Sequence, residues 1–211
     1  MRIVYLHGFA SSPQSSKARF FADKFAAVGI PFTAPQLDRG DFETLTITGQ
    51  LSVVAEAVGA GPAVLMGSSL GGYLAALFAK SHPHLVERVV LLAPAFHFYQ
   101  RFRGRLTDQQ VAGWKQVGTM MVYHYGAKKE QPLGWQLLPD AAQYEAEPAF
   151  PQPGLILHGT EDAVIPPESS CQFAAGHQNL ALHLLPSGHE LTDVKDQMWD
   201  RTAAFLQIVH K

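Results

Sequence analysis

The stretch "AVLMGSSLGGYLAALFAK", residues 63–80, decides how the chain is read. An apolar run from Ala63 to Met66 meets Gly67, two serines, Leu70 and the pair Gly71–Gly72, after which apolar residues dominate again. A short apolar run bounded by glycine reads as a buried strand, and the longer Leu/Ala-rich run behind it as a helix. Gly71, Ala75 and Ala79 recur every fourth residue and let that helix lie close on a sheet. Strand, tight turn and helix is the setting in which G-x-S-x-G has a physical purpose. The serine sits at the tip in a strained backbone conformation, so the residues two before and two after it must be small. Gly67, Ser69 and Gly71 fit those positions, whereas a frame on Ser68 would put Met66 and Leu70 where glycines are needed. Ser69 is therefore the candidate nucleophile.

Outward from the elbow, short apolar runs alternate with longer segments of helical period, the pattern of a parallel sheet with crossover helices. Strands are expected near 2–6, 32–35, 63–66, 88–93, 154–158 and 181–186. The first helix carries Ala18, Phe21, Phe25 and Val28 at spacings of three and four. The serines of "SSPQSSKA" supply its N-cap and Gly29 suits its C-terminal end. The last helix is expected to start near Thr192 as N-cap, followed by Asp193, and to run almost to the C-terminus. Residues 97–150 break the rhythm with Trp114, Trp135, Phe98, Phe102, Tyr123 and Tyr125 among punctuating glycines, and are expected to form a lid or cap inserted into a single domain spanning 1–211. Their aromatic residues could line an acyl pocket or only pack the lid itself.

Serine is a poor nucleophile alone and needs a base, with a third group to orient that base. In elbow folds the partners follow in the order serine, acid, histidine, from loops at the carboxyl ends of strands. "LILHGTEDAVIP" places Asp162 in such a loop, and "LHLLPSGHEL" places His189 in the loop after the last strand. Glu161 adjoins Asp162 but is expected to point elsewhere, and Asp140, in the insertion, reads as a helix cap. His7 and His158 sit in His-Gly turns and read as structural. His82, His84, His177 and His210 read as solvated or helix-end residues; His183 lies within a strand, and His97 and His124 fall in the aromatic insertion. "HELTD" ends in Asp193 where a zinc-binding H-E-x-x-H would place its second histidine, and "HPH" at 82–84 lacks a third ligand, so no metal and no cofactor is expected.

A tetrahedral oxyanion needs pre-aimed N–H donors. The backbone of Leu70, after the nucleophile, is one candidate. The second lies in "YLHGFASSP", where Gly8 allows a sharp turn and the N–H of Phe9 or of Ala10 would face the site, with Phe9 preferred.

The whole chain resembles an α/β-hydrolase, and its opening "YLHGFASSPQSSKA" together with "GSSLGG" is similar to the small YqiA-like bacterial esterases. The resemblance implies serine hydrolysis of carboxylic or thioester substrates, with Ser69 as nucleophile, Asp162 as orienter and His189 as base. Two departures accompany it: the chain starts directly at the strand carrying the His-Gly loop, without the two edge strands of larger hydrolases, and the aromatic insertion is longer than a minimal connection.

Composition narrows the class. Hydrophobic residues at 47% and charged residues at 16% describe a compact globule. A net charge of -2 argues against nucleic acid as a partner. The basic cluster Arg101, Arg103 and Arg105 in "RFRGR" reads first as a solvated loop, with a clamp for an anionic substrate group as the alternative. A single cysteine, Cys171, fits a reducing compartment, no signal peptide is read ahead of the first strand, and no run spans a bilayer, so a cytoplasmic protein is expected. The expected activity is hydrolysis of a small carboxylic ester of short to medium acyl length. A thioesterase or serine peptidase with the same three residues stays open, with coenzyme A thioesters as the discriminating substrates. A non-catalytic binding protein of the same fold is the reading from another class.

Overall fold

The computed structural model describes residues 1–208. Chain order is β1 (Ile3–Leu6), α1 (Ser16–Ala27), β2 (Phe32–Thr33), α2 (Ile47–Val58), β3 (Ala63–Ser68), α3 (Leu70–Ser81), β4 (Val86–Leu92), α4 (Phe98–Gly104), α5 (Asp108–Val117), β5 (Thr119–His124), β6 (Lys129–Gly134), α6 (Leu137–Ala141), β7 (Gly154–Gly159), α7 (Pro167–Ala175), β8 (Leu180–Leu185) and α8 (Lys195–Leu206). Six strands form one sheet in the order β2-β1-β3-β4-β7-β8, every pair parallel. These are the six runs expected, each shifted at its ends by no more than two residues.

Strand side chains alternate between faces, so each face collects its own core. Ile3, Tyr5, Val64, Met66, Val90 and Leu92 join α1 and α8 through Phe21, Phe25, Met198 and Trp199. Val4, Leu6, Leu65, Val89 and Leu91 join α2, α3 and α7 on the opposite face. The chain leaves β1 toward β2 and returns to β3 on the other side of β1. That reversal opens a crevice at the carboxyl ends of β1 and β3, where open α/β sheets gather ligands.

Helix ends obey local chemistry. Ser15 caps α1 by accepting from the Ala18 amide, and Gly29 follows with φ +70°. Between β2 and β3 lies α2, an element not expected from the sequence, with Thr46 Oγ1 accepting from Gly49 N at 2.9 Å. Asp140 does cap a helix, but across space: its carboxylate accepts from the amide and hydroxyl of Thr48 in the first turn of α2. The last helix begins at Lys195 after Val194, not at a Thr192 cap, because Asp193 accepts instead from the Ser187 hydroxyl and holds the preceding loop. His210 lies outside the described residues.

Between β4 and β7 the chain builds α4, α5, the antiparallel hairpin β5–β6, and α6. "RFRGR" is not a loop; it completes α4 and its C-cap. The aromatic residues divide into two groups. Trp114 is buried, donates Nε1–H to Leu133 O at 2.9 Å and meets Trp135 edge to face, so these two pack the insertion itself. Phe98 and Phe102 instead reach Phe9 in the loop after β1.

Candidate active site

The elbow is built by close approach. A Cβ on Gly67 would stand 2.1 Å from Gly71 O, and one on Gly71 would stand 2.0 Å from Leu6 O. Both positions are closed to any side chain, which holds α3 against β1 and turns the chain sharply between them. Ser69 takes φ 54° and ψ -117°, a region costing about 1–3 kcal/mol for a residue with a Cβ. Four backbone hydrogen bonds hold it there: its N–H donates to Leu92 O, and its carbonyl accepts from Gly72, Tyr73 and Ala95. Ser68 belongs to β3 and is buried, while Ser69 is half-buried at the end of the sheet.

Ser69 and His189, 120 residues apart, meet with Oγ 3.0 Å from Nε2. The other ring nitrogen, Nδ1, lies 2.7 Å from Asp162 Oδ2. Asp162 is buried in the turn after β7, and its Oδ1 accepts from the amides of Val164 and Ile165 at 2.9 and 2.8 Å. Burial alone would raise this carboxyl, but hydrogen bonds from His158, His189 and the Ile165 amide hold it well below the ordinary carboxylate range. An ionised Asp162 only accepts, so His189 carries its proton on Nδ1 and turns the lone pair of Nε2 toward the serine hydroxyl. Such an arrangement can take a proton from Ser69 Oγ. Glu161 is exposed beside it, and the hydrogen bond of His189 Nδ1 goes to Asp162.

His158 departs from the structural role read for it. Fully buried in β7, it donates Nε2–H toward Asp162 Oδ2 at 3.1 Å and Ile165 O at 2.9 Å. Its Nδ1 accepts from Ser170 Oγ at 2.7 Å. The acid is thus shared by two histidines, and the signal available in the sequence was the i, i+4 spacing of His158 and Asp162.

The loop after β1 lies over the nucleophile: a Cβ on Gly8 would come 3.5 Å from Ser69 Cβ. His7, buried beneath it, donates Nδ1–H to Gly8 O at 3.0 Å and accepts from Leu37 N at 3.4 Å, and burial lowers its affinity for a proton. Leu70 N–H opens α3 and has no intrahelical carbonyl to bond. Phe9, Ser69 and Leu70 share the wall of one cavity of about 240 Å³ with Phe98, Arg101, Phe102 and Arg105 of the insertion. Met120 and Val122 enter it from alternate positions of β5, while Met121 and Tyr123 between and beyond them face solvent. Among the described residues no group of three or more histidine, cysteine or acidic side chains is placed to hold a metal ion. No helix among them is long and apolar enough to cross a membrane.

A model described as an uncharacterised protein family (UPF0227) matches residues 2–207. No curated protein matches the chain. Among solved structures, one described as "Putative hydrolase from Agrobacterium vitis S4" aligns with TM-score 0.83 at 22% identity, covering 97% of this chain and 87% of that one. Est1E from Butyrivibrio proteoclasticus with ferulic acid bound aligns with TM-score 0.74 at 20% identity, covering 96% and 90%. A monoacylglycerol lipase from Paleococcus ferrophilus aligns with TM-score 0.74 at 16% identity, covering 96% and 94%. At these identities the likeness shows the α/β-hydrolase fold.

Proposed function

The chain belongs to the uncharacterised protein family UPF0227, and from the geometry at the sheet edge we propose that it is a serine hydrolase of carboxylic esters acting through Ser69, His189 and Asp162. The observation that carries the reading is the continuous hydrogen-bonded line from Asp162 Oδ2 to His189 at 2.7 Å and from His189 to Ser69 Oγ at 3.0 Å. A strained serine at the tip of a strand–helix turn supports it, since strain of this kind is kept where surrounding structure enforces it. A monoacylglycerol lipase among the neighbouring folds favours ester cleavage among acyl transfers.

In the proposed reaction Ser69 Oγ attacks the ester carbonyl as its proton passes to His189 Nε2. The tetrahedral oxyanion is held by the backbone N–H groups of Phe9 and Leu70. Collapse expels the alcohol, which takes the proton from His189 and leaves an acyl-serine. Water then gives a proton to His189 and its hydroxide to the acyl carbon, releasing the acid and restoring Ser69. Asp162 keeps the imidazole in the working tautomer and stabilises its cation. The insertion over 97–150 acts as the roof of the acyl site. A cavity of about 240 Å³ suits a short or medium acyl group better than a long lipid tail. The single cysteine agrees with work in the reducing cytoplasm.

The test compares Ser68→Ala with Ser69→Ala on p-nitrophenyl butyrate. Loss of three orders of magnitude or more in kcat is expected for Ser69→Ala and less than tenfold for Ser68→Ala. Retained activity in Ser69→Ala would overturn the reading.

A further inference from the structure

The three arginines of α4 are not equivalent. Arg103 is committed within the insertion: it pairs with Asp108 and donates to Leu106 O at 3.0 Å. Arg101 and Arg105, four residues apart and so on one side of the helix, both line the cavity that holds Ser69. Among the described residues each guanidinium makes one hydrogen bond, to a backbone carbonyl: Arg101 through Nε to Phe96 O at 3.0 Å, Arg105 through Nη2 to Val164 O at 3.2 Å. Among the described residues neither meets a carboxylate within ion-pair distance. A guanidinium has five N–H donors, so most of theirs have no partner among the described residues. Apart from Ser69, every other side chain lining the cavity is apolar, and none is acidic. A substrate group extending beyond the scissile ester therefore meets either hydrocarbon or cation. Beside apolar walls the attraction of a guanidinium for an anion is stronger than in open water, and its fork matches the paired oxygens of a carboxylate or phosphate.

We propose that Arg101 and Arg105 form an anion-binding subsite in the Ser69 cavity, and that the ester hydrolysed there carries a carboxylate or phosphate set off from the scissile bond by a short apolar spacer. This rests on the serine-hydrolase reading and specifies its substrate class. Arg101, half-buried and fixed at Nε, presents its two terminal nitrogens as the primary contact. Arg105 is more exposed and adds a second positive charge at the mouth. The same pair disfavours cationic substrates, so the subsite discriminates in both directions.

Two matched pairs of esters test the inference and separate the two sources of negative charge. Ethyl hydrogen suberate against ethyl octanoate puts a carboxylate on the acyl chain. Butyryl-glycerol 3-phosphate against monobutyrin puts a phosphate on the alcohol. The expected result is a kcat/KM advantage of about tenfold or more for the charged member of at least one pair, shrinking as potassium chloride is raised. The advantage is expected to collapse in Arg101→Gln/Arg105→Gln and to persist in Arg103→Gln. An equal or lower kcat/KM for the charged member of both pairs would overturn the inference, as would an advantage that survives the double substitution. Neutral esters hydrolysed without charge preference would leave the serine-hydrolase reading standing while removing this one. Binding to Ser69→Ala protein reads the subsite without turnover: octanoate is expected to bind about tenfold or more tighter than 1-octanol, and equal affinities would again overturn the proposal.

Discussion

Ser69 is distinguished from Ser68 by one position in the chain, and that position decides burial, backbone strain and access to His189. Sequence alone separates the two because the glycine frame allows only one of them to stand at the tip. Asp162 and His189 are legible for a related reason: each lies in a loop after an apolar run, in the order this chemistry needs. His158 is not legible in the same way, since a histidine before glycine looks like turn furniture until β7 is seen to aim it at the acid. Its consequence can be measured. Removing one charge-assisted donor from a buried carboxylate is worth about 1.5–3 kcal/mol. His158→Leu is expected to lower kcat on p-nitrophenyl butyrate by about tenfold or more with little change in KM, and His158→Gln, which restores a donor at similar reach, to recover most of it. Equal losses in the two variants, matched by equal losses in Tm, would reduce His158 to packing.

At the scale of elements, the serine-rich segment before α1 does more than cap a helix. It brings Lys17, a side chain with only 8% of its surface exposed, against the loop that carries His189. Lys17 Nζ donates to Glu190 O at 2.7 Å, and Lys195 at the head of α8 donates to Ser16 Oγ at 2.7 Å. The two bonds tie the start of α1 to the residue after His189 and to the first residue of α8. Burial pushes the Lys17 ammonium toward its neutral form, so the residue is costly to keep. Lys17→Met is expected to lower kcat several-fold while shifting Tm little, because removing a costly buried charge offsets the lost bonds to Glu190. An unchanged kcat, or a loss that follows Tm downward, would contradict a positioning role. Strands were readable as apolar runs because a parallel sheet is buried on both faces. The seven residues of α4 were not, since so short a helix takes its form from packing against Phe9 and Trp114 more than from its own periodicity; nor was the β5–β6 hairpin, whose half-exposed strands include Lys129, Glu130 and Gln131 and so form no apolar run.

For the molecule as a whole, topology explains why residues so distant in sequence converge: β1, β3, β7 and β8 are parallel and deliver their following loops to one edge. Fold class and six-strand order of appearance follow from the pattern of runs; the cavity does not, because it forms between that edge and an insertion whose placement no periodicity encodes. The same edge makes stability sensitive to acid. His7 is buried and its proton affinity is lowered by that burial. Unfolding releases it to take up a proton at about pH 6.5, so the unfolded state binds more protons below that value and stability falls with falling pH. His7→Gln is expected to show a shallower decline in unfolding free energy between pH 6.5 and 5 than the unaltered chain, and an identical slope would remove His7 from the account. The most direct measurement of all is the mass of the protein after reaction with a fluorophosphonate probe, followed by peptide mapping. A single adduct on Ser69, abolished in Ser69→Ala and greatly slowed in His189→Ala, is expected; an adduct on Ser68 or elsewhere, or none on the intact chain, would contradict the reaction proposed here.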